Sequence, residues 1–240
     1  MRKVVQNDKR YKKICKVPNK NGSSNLGGIA SDGKSFYAIK TDQMDRVSTI
    51  YLPNKSAMKK VIPWKTQMIT GLMGHGNGLT WSGGSLLVAP HDYYAIKLSV
   101  PGMKMTRIKS PVRVSGIAYL TGKTYIIRTG SKLYLAELII EKGEAVFRID
   151  KTIKYKNTMA YDGYTVYQDI GFHDGKIAVI LSHKSKRKNC ILFVDLSGEM
   201  DEVLLSRTYP SLHEWESVAW IGDSMYIAAN TSQGDFIFST

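Results

Sequence analysis

Apolar residues alternate with small or polar ones in short runs along most of the chain, and the runs recur as one phrase. A small residue, an aliphatic, a small residue, a tight turn and a second apolar run appear at Gly28–Ile39, Gly78–Val88, Gly116–Ile127, Asp169–Ile180 and Ser217–Ile227. The aliphatic anchors are Ile29, Leu79, Ile117, Ile170 and Val218, at steps of 50, 38, 53 and 48 residues. Period-two alternation predicts strands, and Asp32-Gly33, Gly83-Gly84, Thr121-Gly122, Asp174-Gly175 and Gly222-Asp223 supply the turn residues of hairpins. Further strands are predicted at Arg46–Leu52 and Met58–Ile62, Tyr94–Val100 and Met103–Ile108, Leu133–Glu141 and Ala145–Ile153, and Ile191–Leu196 and Glu202–Tyr209. Helical periodicity is nearly absent. A period of about 40–50 residues with several strands per unit marks propeller blades.

The fold expected is therefore all-β: one five-bladed β-propeller domain over residues 1–240, with repeats near 25–70, 75–110, 113–158, 166–210 and 214–240. The last repeat is short, with only Asp235–Thr240 following Ile227. The segment 10–17 has strand character and is expected to supply the missing outer strand of that last blade. Its lysines would guard the sheet edge. Met1–Lys9 reads as a disordered basic arm.

Composition narrows the setting. No apolar run approaches the roughly 18 residues of a membrane helix, and Met1–Arg10 has charges without an apolar signal region. A cytoplasmic protein, or a virion component released by lysis, is expected. Cys15 and Cys190 stand far apart without metal-type spacing and read as buried free thiols. The net charge of +14 comes from 34 Lys and Arg against 20 Asp and Glu, which favours anionic partners. That excess is spread thinly, and no basic-aromatic motif points to nucleic acid. The one dense run, Lys184–Lys188, falls between two apolar strands and reads as a solvated hairpin tip.

A propeller brings equivalent positions of every blade to one axis, so the repeat gives an address for a site. Two residues before the anchors stand Gly27, Asn77, Ser115, Gln168 and Glu216; four before stand Asn25, His75, Arg113, Val166 and Glu214. Strict alternation would set both positions on the anchor's face, where the strands begin. Hydrogen bonding between neighbouring blades is the structural reading of these residues; a small-ligand rim is the functional one. Trp64, Tyr93, Tyr94, Tyr161, Tyr164, Tyr167 and Trp215 lie in neighbouring segments, as rings that stack on sugars or as blade packing.

At Gly74–Trp81, Tyr167–Ile170 and His213–Ala219 the chain resembles the five-bladed propellers of helveticin J-like bacteriocins and the propeller platforms of staphylococcal phage receptor-binding proteins. The resemblance spans roughly 71–230 in phrase order and spacing. It implies a module that binds a cell-wall or surface glycan, an anionic one included. Carried over by position, it points to His75, Asn77, Gln168, Asp169, Glu214 and Glu216; the repeat positions and the nearby aromatics add Arg113, Tyr167 and Trp215 as candidate ligand contacts. The chain departs from that pattern in having no stem or trimerisation segment, and its first blade, Asn25-Leu-Gly-Gly28, lacks a distinctive match.

Two other functions stay open. Glu214, Glu216 and Asp169 could act as acid and base, or hold Ca²⁺ with Asn77 as in lactone-hydrolysing propellers. Against an enzyme, the two glutamates come from one strand and no nucleophile elbow or phosphate loop is present. A protein-interaction scaffold is the third reading. The expected partner is a glycan or another anionic surface polymer, with no cofactor required and Ca²⁺ as the one candidate.

Overall fold

The structure is a computed structural model that describes residues 2–6, 11–53, 64–70, 73–183, 188–206 and 214–240. Among these residues the strands group around five inner ones. The first unit holds β3 (Asn25–Ser31), β4 (Phe36–Thr41), β5 (Val47–Pro53) and β6 (Trp64–Thr70), paired in that order. The second holds β7 (Gly78–Ser82), β8 (Ser85–Ser99) and β9 (Met105–Val114). The third holds β10 (Gly116–Thr121), β11 (Thr124–Thr129), β12 (Lys132–Glu141) and β13 (Glu144–Ile153). The fourth holds β14 (Tyr164–His173), β15 (Lys176–His183), β16 (Asn189–Asp195) and β17 (Met200–Ser206). The fifth holds β18 (Glu214–Ile221), β19 (Ser224–Thr231) and β20 (Gly234–Ser239), and its outermost strand is β2 (Lys12–Val17), antiparallel to β20.

The inner strands neighbour one another in the order β3, β7, β10, β14, β18 and back to β3. Each seam between units is filled by its own apolar layer. Ile39 and Ile50 meet Leu79 and Val88; Leu87 and Ile108 meet Ile117 and Phe147; Ile126 and Leu133 meet Ile170 and Leu192. Ile180 and Leu204 meet Val218 and Ile227, and Ala219 and Ile237 meet Ile29 and Tyr51. A sheet covered on both faces favours near-continuous apolar runs; β4 is buried from end to end, apolar over Phe36–Ile39 and closing on the buried, partnered Lys40 and Thr41. The chain is an all-β propeller, its last unit closed by a strand from the N-terminal region.

Three details differ from expectation. The second unit has three strands, because residues 85–99 run on as one strand through Pro90 and the positive-φ His91, bending at a register shift near Asp92 where two strands were predicted. Its outer strand β9 meets β13 of the third unit in parallel, which covers that edge. Within Met1–Lys9, residues Arg2–Gln6 form a strand (β1) parallel to β17, so this part is not a free arm: β17's open edge accepts it. The strand predicted at Met58–Ile62 and most of the Lys184–Lys188 run lie outside the described residues.

Candidate functional site

The position just before each anchor holds Gly28, Gly78, Gly116, Asp169 and Ser217, and these five meet at the axis. Asp169 is fully buried there. Its carboxylate accepts from the backbone N–H of Leu79 (3.2 Å) and Ile117 (3.3 Å) and lies 2.7 Å from Ser217 Oγ. The carboxylate leaves no room for a side chain at Gly78 and little at Gly116, while Gly28 is held small by Leu79, 2.9 Å from where its Cβ would stand. A Cβ on Gly78 would sit 2.2 Å from Asp169 Oδ1, and one on Gly116 would sit 3.3 Å from it. Ser217 Oγ also reaches the Ile29 carbonyl at 3.3 Å, so one side chain from the fourth unit is linked to all the others. Burial pushes the Asp169 carboxyl up to about 7, opposed by the Ser217 hydrogen bond, backbone amides and the Arg128 charge.

On the leading face, where the inner strands begin, polar side chains tie neighbouring units. Asn77 donates to the Ser115 carbonyl at 2.7 Å, and Gln168 donates to Glu214 at 2.8 Å. Asn230 donates across the seam to Asn25 at 3.1 Å and, within its own unit, to Glu216 at 2.6 Å. Alternation does not aim these residues. Between Leu26 and Gly28, between Tyr167 and Ile170, and between Trp215 and Ser217 the register shifts, so Gly27, the Gln168–Asp169 pair and Glu216 fall in bulges at one repeat position. A bulge re-aims the extra residue. Burial, then the neighbouring Glu214 carboxylate, holds Glu216 well above the usual carboxylate range. Arg128 is buried beside this ring, donates to the Ser115 and Gly130 carbonyls, and leaves Nε unpartnered; desolvation lowers it to about 10.

The remaining predicted residues are scattered. His75 is half-exposed and pairs with Asp45 at 2.9 Å, away from the axis. Arg113 lies over the exposed Tyr93 ring at 5.8 Å. Tyr167 accepts from Asn157 at 2.6 Å through its hydroxyl. Trp215 is 5% exposed and packs edge-on against Tyr11 in the seam between the fourth and fifth units, so its ring offers no open face. Among the described residues no three His, Cys, Asp or Glu side chains gather as a cation site.

The trailing face, where the inner strands end, holds what the sequence reading missed. An axial funnel of about 260 Å³ has the anchors Ile29, Leu79, Ile170 and Val218 as floor. Its walls carry Trp81, Tyr119, Phe172, His173 and Trp220, two or three residues past the anchors. Two of these rings are backed by others. Trp81 stacks on Tyr37 (centroids 4.8 Å apart, 16° between planes) and Trp220 on His173 (5.2 Å, 8°). Gly171 lets Trp220 lie flat, since a Cβ there would come within 2.5 Å of the indole. The Asp169–Ser217 level closes the funnel's inner end. The signal was available: an aromatic follows the anchor in four repeats, at Trp81, Tyr119, Phe172 and Trp220.

Comparison with known proteins bears on the fold alone. No protein-family model matches the chain, and no curated protein does. Among solved structures, a glutaminyl cyclase from Myxococcus xanthus superposes with a TM-score of 0.64 at 14% identity, over 99% of this chain and 96% of that one. The WD40 propeller domain of Doa1 gives 0.46 at 9% identity over 96% of each chain. BamB from Moraxella catarrhalis gives 0.41 at 10% identity over 90% of this chain and 76% of that one. None of these bears on the bacteriocin or phage resemblance; the first of them agrees with the strand topology in making the chain a β-propeller.

Proposed function

We propose that the protein binds glycans and takes a sugar ring into the trailing-face funnel. The observation that carries this is the pair of ring-backed indoles, Trp81 on Tyr37 and Trp220 on His173, bordering one axial cavity. A stacked backing ring fixes an indole before the ligand arrives, which lowers the ordering cost of binding. An aromatic face then covers the apolar face of a pyranose, and Ser31, Thr80 and His173 stand among the lining residues for its hydroxyls. The cavity is just below the roughly 300 Å³ at which drug-sized pockets begin, which suits a single ring. The net charge of +14 suits an anionic polymer bearing such a sugar.

Calorimetric titration with N-acetylglucosamine oligomers and with purified wall teichoic acid tests this. Trp81→Ala or Trp220→Ala should weaken binding about tenfold or more, as loss of an aromatic contact does. Equal binding by wild type and both variants would reject the funnel as the site.

One observation favours an enzymatic reading on the opposite face. Glu216 is buried, keeps its proton above the ordinary carboxylate range and is bonded to Asn230, a combination suited to general acid–base work. The glutaminyl cyclase of similar fold makes an N-terminal glutaminyl peptide the first substrate to try. Turnover by wild type, lost in Glu216→Gln, would favour this reading over the binder.

A further inference from the structure

We infer that the funnel receives the end of a glycan chain and that the next sugar lies in a second, radial subsite across the fourth unit; this rests on the glycan reading above. The funnel is a dead end. Asp169 and Ser217 occupy the axis beneath its floor and are bonded to the first, second and third units, so a chain cannot thread through. Only a terminal unit can descend to the anchors.

The way out is marked by a second depression of about 180 Å³ that shares His173 and Trp220 with the funnel. Its other lining residues are Asp174, Lys176, Phe193 and Glu202. Lys176, Phe193 and Glu202 stand on β15, β16 and β17, and Phe193 and Glu202 are register partners. The depression therefore runs outward from the inner strand across the sheet. The stacked His173–Trp220 pair forms the ridge between the two. A ring beyond the ridge would find Phe193 for its apolar face, with the ammonium of Lys176 and the carboxylates of Asp174 and Glu202 for its hydroxyls. An aromatic floor with polar and charged groups at its border matches the two faces of a sugar unit, whose C–H face packs on a ring while its hydroxyls stay among hydrogen-bonding groups.

Titration of the 240-residue chain with N-acetylglucosamine, its β1,4-linked dimer and tetramer, and a long soluble polymer of the same sugar reads this directly. The dimer should bind about tenfold tighter than the monomer, with little further gain for the tetramer. Lys176→Ala and Glu202→Gln, each checked for wild-type thermal unfolding, should reduce the dimer's advantage, and Trp81→Ala should weaken every ligand. Polymer stoichiometry should follow chain ends. Equal affinities for monomer and dimer would overturn the second subsite while leaving the glycan reading intact. Stoichiometry that follows total sugar units would overturn end recognition. If none of these sugars binds, the glycan reading itself falls and this inference falls with it.

Discussion

Ser217 Oγ stands 2.7 Å from Asp169 Oδ2 and 3.3 Å from the Ile29 carbonyl, so a single hydroxyl relays between a buried carboxyl and the backbone two seams away. The relay works in both protonation states. With Asp169 ionised, Ser217 donates to the carboxylate. With Asp169 neutral, the acid proton donates to Ser217, which turns its own toward Ile29.

This arrangement sets a pH dependence. Burial raises the Asp169 carboxyl from 3.8 to about 7, so the folded protein keeps a proton that the unfolded chain releases. The stabilisation linked to it is fully present below pH 3.8 and is lost as pH rises to about 7. Urea unfolding between pH 4 and 8 should show a smaller fall for Asp169→Asn than for wild type. Parallel curves would reject the assignment.

Gly78→Ala should destabilise more than Gly116→Ala. The first Cβ would meet Asp169 Oδ1 at 2.2 Å, the second Arg128 Nε at 3.0 Å and Asp169 at 3.3 Å. Overpacking costs about 1–3 kcal/mol, and Gly78→Ala belongs at or above the upper end. Chemical denaturation midpoints of the two variants decide it.

Lys40 and Asp235 form a buried ion pair between the first and fifth units, and Lys40 also donates to the Val17 carbonyl and to Asn19. Desolvation lowers Lys40 and raises Asp235, each opposed by the other's charge. Removing one partner strands the other, at about 3–5 kcal/mol. Lys40→Met should therefore cost more than Lys40→Met combined with Asp235→Leu, measured by thermal unfolding.

Cys15 and Cys190 are buried and free, and burial pushes the Cys15 thiol up to about 12 and raises Cys190 as well. Neither should react with a thiol reagent in the native state, and both should react in denaturant. Fast native labelling of either would contradict its placement.

Ligand-induced tryptophan fluorescence should come from Trp81 and Trp220. Trp215→Phe should leave the change in place, because Trp215 is enclosed in a seam. Loss of the signal in that variant alone would move the site to the leading face.

The repeat phrase made the propeller legible, because inner strands and their turns recur where the anchors do. The closing role of segment 10–17 was legible from the short last repeat. The site was harder. Reading two and four residues before each anchor found Asn77, Gln168, Glu214 and Glu216, but strict alternation misjudges the aim of the last three, since bulges at Gln168–Asp169 and Glu216 shift the register, as one does at Gly27. The axial position itself reads Gly, Gly, Gly, Asp, Ser, and only its convergence in space makes sense of it. Trp215 looked like a rim aromatic because burial is not written in one residue, whereas the aromatics past the anchors lie in hairpin ends that resemble ordinary strand packing.

The pairing of β2 with β20 joins residues 12–17 to residues 234–239. A ribosome therefore releases the first half of that contact long before the second exists. Until then β2 is an unmatched edge and the seam of Ile29 with Ile237 is open to water. Contacts of such sequence separation form slowly. The ring is a latch that can shut only once synthesis has passed Ser239, with β2 waiting through nearly the whole chain for its partner.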